Sequence, residues 1–207
     1  LARAYNDKYL NTLENFYEVE EEQVYTTNSI KRFLINSYND ISEYLKNNET
    51  IPWHLSSISN HEPIQETTFK YPYCNTNHKL IVDNYVIDTG STPLLMNFAD
   101  DIDQDCNGHG SFCTSLIRDS KFGVCKEANV YGVKVLDCQG SGSTSSVLQG
   151  LEYVYKLHKK KSKKEKQQVK SIINMSLGGG FSKALNKAVE KTLTDPNFYF
   201  VAAAGKE

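Results

Sequence analysis

From residue 79 onward the sequence alternates short, apolar, β-rich runs with stretches of helical periodicity, and this alternation limits the fold more than any other feature. Strands that alternate with helices form a parallel sheet, because parallel neighbours need a crossover connection. The pattern predicts strands over 80–87, 129–135, 171–175 and 198–203, and helices over 108–117 and 144–157. The predicted class is therefore α/β, with a mostly parallel central sheet flanked by helices.

The second predicted helix has the clearest signals. Its apolar residues fall on one stripe, and either Ser143 or Thr144 is suited to cap its N-terminus. The stripe consists of Val147, Leu148, Leu151, Val154 and Tyr155.

The N-terminal part of the chain differs in composition from the rest. Residues 1–50 carry 5 basic and 9 acidic side chains, and apolar residues recur with helical spacing over 30–45. Pro52, Pro63 and Pro72 indicate an extended linker. We therefore predict three regions, a helical segment over 1–51, a linker over 52–78 and an α/β domain over 79–207.

Charge and hydropathy exclude two classes of partner. The chain has 23 basic and 25 acidic residues, and no apolar run approaches the roughly 20 residues that a membrane-spanning helix needs. Eight lysines between 156 and 170 predict a solvated surface loop; without interleaved aromatic residues they do not indicate nucleic-acid binding. We expect neither nucleic acid nor a membrane span.

Five cysteines have no spacing typical of a metal site. They form no CxxC pair, so we predict no structural metal, at least one free thiol and one or two disulfides in an oxidising compartment. The cysteines are Cys74, Cys106, Cys113, Cys125 and Cys138.

Two polar motifs carry candidate chemistry. Asp88 follows an apolar strand, at the sheet edge where active sites of open α/β folds collect, although Asp before Thr-Gly is equally typical of a turn. His109 stands between Gly108 and Gly110, which allow close approach to its ring, and the residues after it predict a helix. A single histidine is more often structural, so each motif depends on the others.

Further glycine motifs follow in a specific order. Asp88, His109, the turn Gly140-Ser141-Gly142 and the run Asn174-Met175-Ser176-Leu177-Gly178-Gly179-Gly180 occur in the order found in subtilisin-like serine proteases. The chain resembles the proteinase K branch of that family, in which a cysteine follows the histidine by four residues, as Cys113 does here. Trp53, after Pro52, resembles the start of the mature enzyme in that branch.

The resemblance implies a role for each matching residue. His109 would take the proton of a serine hydroxyl, and Asp88 would orient the imidazole ring and stabilise its charged form. Two chain segments would hold a peptide or protein substrate as an extended strand, and a third would form the wall of the pocket for the residue before the scissile bond. These segments are Gly140, Ser141 and Gly142; Ser176, Leu177 and Gly178; and Ala203, Ala204 and Gly205.

One position departs from the family pattern. Lys206 stands where these proteases have an asparagine whose amide donates to the oxyanion, and a flexible point charge is a poor substitute for that donor.

The resemblance also implies parts beyond these motifs. The nucleophilic serine of the family lies downstream of the position of Glu207, so we expect the sequence to be a fragment, inactive alone, of a serine endopeptidase, with an incomplete subtilisin-like fold. Residues 1–51 would then be the end of an inhibitory propeptide that acts as a partner. The sequence identifies no cofactor; the resemblance allows calcium, for which the sequence assigns no site. The location would be secreted or vacuolar, within the secretory pathway.

The alternative is a degenerate, non-catalytic homologue that binds peptides or partner proteins.

Overall fold

The computed structural model describes residues 22–27, 52–59, 80–165 and 168–205. Its larger sheet has five parallel strands, in the order β3-β4-β2-β6-β8. These are β2 (Leu80–Asp88), β3 (Leu94–Asn97), β4 (Asn129–Lys134), β6 (Gln168–Met175) and β8 (Phe198–Ala202). The predicted α/β class and the four predicted strands are confirmed, and β3 is an addition.

The central strand β2 is apolar where the sheet is covered. Tyr85, Val86 and Ile87 are buried, since β4 and β6 pair with the strand on its two sides and helices pack on it. A parallel strand buried in this way needs apolar residues on consecutive positions, which is the continuous run that the sequence shows. The strand ends at Asp88, which lies in register with Lys134 of β4.

Four helices are described, α1 (Trp53–Ser59), α2 (His109–Arg118), α3 (Thr144–Lys164) and α4 (Lys183–Leu193). The helix α2 contacts β2 and β4, whereas α3 contacts β2 and β6. Ser143 caps α3, because its side chain accepts from the backbone N–H of Ser146 and the Ser146 hydroxyl accepts in return. The two predicted helices are confirmed, and Ser143 is the N-cap of the second.

The prediction of a lysine-rich surface loop is wrong, because residues 156–164 continue α3. Lysine is a good helix former, and cations are favourable near a helix C-terminus. Side-chain partners also hold the segment, since Lys159 pairs with Asp195 and Lys161 pairs with the buried Asp83.

The linker prediction is wrong over residues 53–59, which form α1 directly after Pro52. Proline is well tolerated at a helix start, so it marks the boundary of this helix rather than an extended chain. The predicted helix over 30–45 and the linker over 60–78 lie outside the described residues. In the part of the chain that is described, no helix has the length and apolar character needed to cross a bilayer.

A second sheet has three short antiparallel strands, which the sequence did not predict. The strand β1 (Val24–Thr27) lies between β5 (Ser141–Ser143) and β7 (Leu177–Gly179). A segment far upstream therefore occupies the space between the two glycine-containing motifs.

Candidate active site

Asp88 ends the central strand of the sheet, and its side chain is completely buried. The carboxylate accepts a hydrogen bond from the backbone N–H of Thr89 at 2.7 Å. Both of its oxygens face the ring of His109, with Oδ1 at 2.8 Å and Oδ2 at 3.0 Å from Nδ1. The two side chains that sequence analysis singled out are therefore in direct contact.

His109 is the first residue of α2, and its side chain is 11% exposed. With Nδ1 held by Asp88, the ring has its other nitrogen, Nε2, on the opposite side. Among the described residues, Nε2 has no hydrogen-bond partner, so this nitrogen is free to exchange a proton with a group brought to it. The contact with a carboxylate fixes the tautomer in which Nδ1 carries the proton.

The surroundings of His109 favour its charged form. The hydrogen bond that the imidazole donates to Asp88, assisted by a contact with Cys113, raises the pKa of the imidazole above its ordinary value of 6.5, although burial opposes the rise. A buried carboxylate that stabilises an imidazolium in this way makes the histidine a stronger base at Nε2.

Cys113 lies one helical turn after His109 and is a free thiol. Its Sγ is 4.0 Å from Nδ1 of the histidine. Residues four apart on a helix lie on the same face, which explains the contact.

A buried lysine beside the site was not predicted from the sequence. Lys134 is completely buried, and its Nζ donates to the backbone carbonyl of Thr89 at 3.1 Å and lies 3.3 Å from Asp100 Oδ2. These contacts hold the turn that follows Asp88. The sequence around Lys134 is apolar and did not indicate an ion-pair partner, because that partner, Asp100, is distant in sequence.

The two glycine motifs face each other across β1. Tyr25 lies opposite Gly142 on one side and Gly179 on the other, and Thr27 donates from its backbone N–H to the carbonyl of Gly140 at 3.0 Å. The segments 140–142 and 177–178 therefore act as edges for an extended chain. Ser176 lies just before β7, and its hydroxyl accepts from the side-chain amide of Asn174.

Close approach explains why glycine is needed at this groove. A Cβ on Gly179 would lie 2.7 Å from the carbonyl oxygen of Val24, a residue of β1. A Cβ on Gly142 would lie 2.2 Å from the carbonyl oxygen of Val135, beneath the groove. Sequence analysis named residues 176–178 for this edge, whereas the strand β1 also pairs with Gly179.

The predicted pocket wall follows the last strand of the sheet. Ala203 donates from its backbone N–H to the carbonyl of Met175 at 3.2 Å. Met175 is the last residue of β6, so this hydrogen bond places Ala203 next to Ser176. Ala203, Ala204 and Gly205 are exposed. Lys206 lies outside the described residues.

A disulfide joins the two halves of the site. Cys106, three residues before His109, is bonded to Cys138, two residues before Gly140. The side-chain amide of Asn107 also donates to the carbonyl of Cys138 at 3.1 Å. Cys125 is disulfide-bonded as well, so the predictions of disulfides and of a free thiol are confirmed.

Two groups of described residues bring potential metal ligands close together. Among the described residues, the candidate clusters are Asp88 with His109 and Cys113, and Asp100 with Cys106 and Cys138. Calcium prefers oxygen ligands, whereas each group contains cysteine sulfur, and both cysteines of the second group are in the disulfide. Neither group therefore fits the calcium that the resemblance implies.

Known proteins are similar to this chain in sequence over most of its length. In sequence, residues 73–207 match the family model of the subtilase family. Subtilisin-like serine protease Pen ch 18 of Penicillium rubens is 43% identical over 169 residues, which are 75% of this chain and 34% of that protein. Alkaline protease 2 of Aspergillus fumigatus is 39% identical over 176 residues, which are 77% of this chain and 35% of that protein.

A solved structure agrees with the fold. The crystal structure of a cold-adapted subtilisin-like serine proteinase superposes with a TM-score of 0.61 at 32% identity, and the match covers 75% of this chain and 56% of that one. The chain spans about a third of the length of the two fungal relatives. On the sequence match, the fold and the order of its motifs, the chain belongs to the subtilase family.

Proposed function

We propose that this chain contributes the acid-base pair and the substrate edges of a serine endopeptidase. The observation that carries the proposal is the contact between the buried Asp88 carboxylate and Nδ1 of His109, with Nε2 directed away. The relatives are named as serine proteases, which supports the same reaction. We propose that the nucleophilic serine lies downstream of the position of Glu207.

The proposed reaction proceeds by transfer of one proton. Nε2 of His109 takes the hydroxyl proton of the serine while the serine oxygen attacks the carbonyl carbon of the scissile bond. Asp88 holds the ring and stabilises the imidazolium that forms. As the C–N bond breaks, His109 returns the proton to the leaving amine, and water then releases the acyl group by the same route.

The substrate would bind as an extended strand between the edges 140–142 and 176–178. The strand β1 supports this proposal, since it pairs with both edges through its backbone. Backbone pairing gives affinity without much dependence on sequence. Ala203, Ala204 and Gly205 would border the pocket of the residue before the cleaved bond, and their small side chains favour broad specificity.

We assign β1 to a propeptide that blocks the groove in the immature protein. Glu22, just before this strand, accepts hydrogen bonds from the backbone N–H and the hydroxyl of Ser145 at 2.8 and 2.6 Å. Ser145 lies in the first turn of α3, where a negative charge is favourable. The segment is thus held by its backbone and by one charged side chain.

The contact with Glu22 predicts a dependence on charge and pH. Burial opposes its ionisation, but the hydrogen bonds from Ser145 lower the pKa of Glu22 below 4.5. Its contribution is therefore complete above that value and is lost as the pH falls through the lowered pKa. For a peptide of residues 20–28 binding to the mature enzyme, we expect Glu22→Gln to raise Kd about two- to fivefold at neutral pH.

Fluorescence anisotropy with the labelled peptide measures this effect. The control is Glu21→Gln, which removes the same charge one residue earlier. Equal Kd values for the Glu22→Gln peptide and the unmodified peptide would contradict the assigned contact.

The position of Cys113 predicts inhibition by mercurials. A mercury atom on its Sγ would crowd the ring of His109, which lies 4.0 Å away, and would disturb the proton transfer. We expect an organomercurial to abolish hydrolysis by the full-length enzyme, and Cys113→Ser to keep activity and resist the reagent. Steady-state rates before and after treatment test this, and an unaffected wild-type rate would contradict the placement.

The secretory pathway is the location we propose, as a secreted or vacuolar enzyme. The disulfide between Cys106 and Cys138 supports it, because such bonds persist in oxidising compartments. Fractionation of cells under non-reducing conditions would test the location.

The first test of the proposed function is the reading frame beyond Glu207. We expect a Gly-Thr-Ser sequence ahead of a predicted helix, in which the serine is the nucleophile. A stop codon directly after Glu207 would contradict the proposal.

A further inference from the structure

Asp105 lies four residues before His109 and accepts four hydrogen bonds from two neighbouring segments. Its Oδ1 accepts from the Thr89 hydroxyl at 2.8 Å, from the N–H of Asn107 at 3.1 Å and from the N–H of Gly108 at 2.8 Å. Its Oδ2 accepts from the N–H of Ser111 at 2.8 Å. The carboxylate therefore bonds to the turn after β2 and to the start of α2 at the same time.

The start of α2 depends on these contacts. Its N-cap residue, Gly108, has a φ of 97° and offers no side chain to the free N–H groups of the first turn. Those groups find partners outside the helix instead, since the N–H of Gly110 donates to Thr89 Oγ1 at 2.9 Å and that of Ser111 donates to Asp105. Asp105 and Thr89 thus do what an N-cap side chain normally does.

The same residues reach Asp88 from the other side. Thr89 donates its N–H to Asp88 Oδ1, and its hydroxyl both donates to Asp105 and accepts from Gly110. A connected path of hydrogen bonds therefore runs from the Asp88 carboxylate through Thr89 to the helix that carries His109. Asp105 bonds to Thr89 on this path and to the start of the helix.

We propose that Asp105 is a positioning residue that fixes the helix start bearing His109 against the turn bearing Asp88. The inference rests on the proposed function for its effect on catalysis. Asp105 itself makes no contact with Asp88 or His109 and would act through Thr89 and the first turn of α2.

The charge of Asp105 suits this role. Burial disfavours the carboxylate, but hydrogen bonds from Gly108, Ser111 and Thr89 lower its pKa below the ordinary value of 3.8. All four groups that face it are donors. An asparagine would turn an NH2 group toward at least one N–H donor, and that hydrogen bond would be lost.

The experiment compares Asp105→Asn with Asp101→Asn in the full-length protein. Asp101 is exposed and lies in the same loop, so its variant changes the net charge equally. We expect Asp105→Asn to lower kcat about 10- to 100-fold, the loss that a small displacement of a catalytic group causes, while KM stays close to the wild-type value. Asp101→Asn should leave both constants unchanged.

A proton NMR signal gives a readout that does not depend on hydrolysis. The proton between His109 Nδ1 and Asp88 resonates at low field, and its shift reports the geometry of that hydrogen bond. We expect Asp105→Asn to move or broaden this signal and Asp101→Asn to preserve it. Should Asp105→Asn fail to fold, Thr89→Val removes the hydroxyl that links Asp105 to Gly110 and should produce the same two changes.

The outcomes separate this inference from the proposed function. A wild-type signal and a wild-type kcat in Asp105→Asn would overturn the positioning role, as would unchanged values in Thr89→Val if only that variant folds. If the wild-type protein shows no hydrolysis, the proposed function fails. The low-field signal alone then decides whether Asp105 positions the pair.

Discussion

Replacing Asp88 with asparagine in the full-length enzyme is expected to lower kcat about 10⁴-fold, the size of loss that removal of this aspartate causes in serine proteases. The amide would present a donor to Nδ1 of His109 and would stabilise the wrong tautomer, with the proton on Nε2. Steady-state hydrolysis of a peptide substrate measures the loss. Without the carboxylate the pKa of His109 falls toward 6.5, so the acid limb of the remaining activity should move to lower pH.

The chain offers a matched control on the same strand. Asp83 is also buried on β2, five residues before Asp88, and Lys161 pairs with it. Asp83→Asn should decrease the free energy of unfolding, because it removes the charge that pairs with the partly exposed Lys161, yet each folded molecule should keep its kcat. Comparable losses of kcat in both variants would mean that Asp88 matters only for stability.

Replacing Gly110 with alanine is expected to displace His109. The added Cβ would lie 2.1 Å from the carbonyl oxygen of Gly90, so the start of α2 must move away from the turn after Asp88. We expect kcat to fall about 10²-fold, as for other small displacements of catalytic groups. Overpacking of this kind also costs about 1–3 kcal/mol of stability.

Kinetics and urea unfolding together test this prediction. The control is Gly123→Ala, whose Cβ would lie 2.4 Å from the backbone nitrogen of Asp119, beyond the C-terminal end of α2. It should decrease stability similarly without changing kcat. A wild-type kcat in Gly110→Ala would show that the contact between the two segments is not needed for catalysis.

The sequence predicted the central sheet because its signals are local. The strands β2, β4, β6 and β8 each contain a short run rich in apolar residues, and α3 has both an apolar stripe and a capping serine. The contact between Asp88 and His109 was also accessible, because the resemblance placed both residues at one sheet edge. The structure added the distance between the Asp88 carboxylate and Nδ1 of His109, and it showed that Nε2 has no hydrogen-bond partner among the described residues.

The missed elements depend on distant partners. The strands β5 and β7 consist of glycine, serine and one leucine, which have little strand propensity of their own, and they become strands by pairing with β1. The helix α4 buries the small residues Ala184, Ala188 and Thr192, which mark a buried face less clearly than large apolar side chains do. Asp105 was missed because a carboxylate that binds backbone N–H groups leaves no periodic pattern.

The central claim is that Asp88 and His109 activate a serine nucleophile. Labelling of the full-length protein with a fluorophosphonate probe, followed by mapping of the modified residue, tests it most directly. The account predicts rapid labelling of a single serine downstream of Glu207 and loss of that labelling in His109→Ala. A folded wild-type protein that the probe does not label would contradict it and favour the non-catalytic homologue.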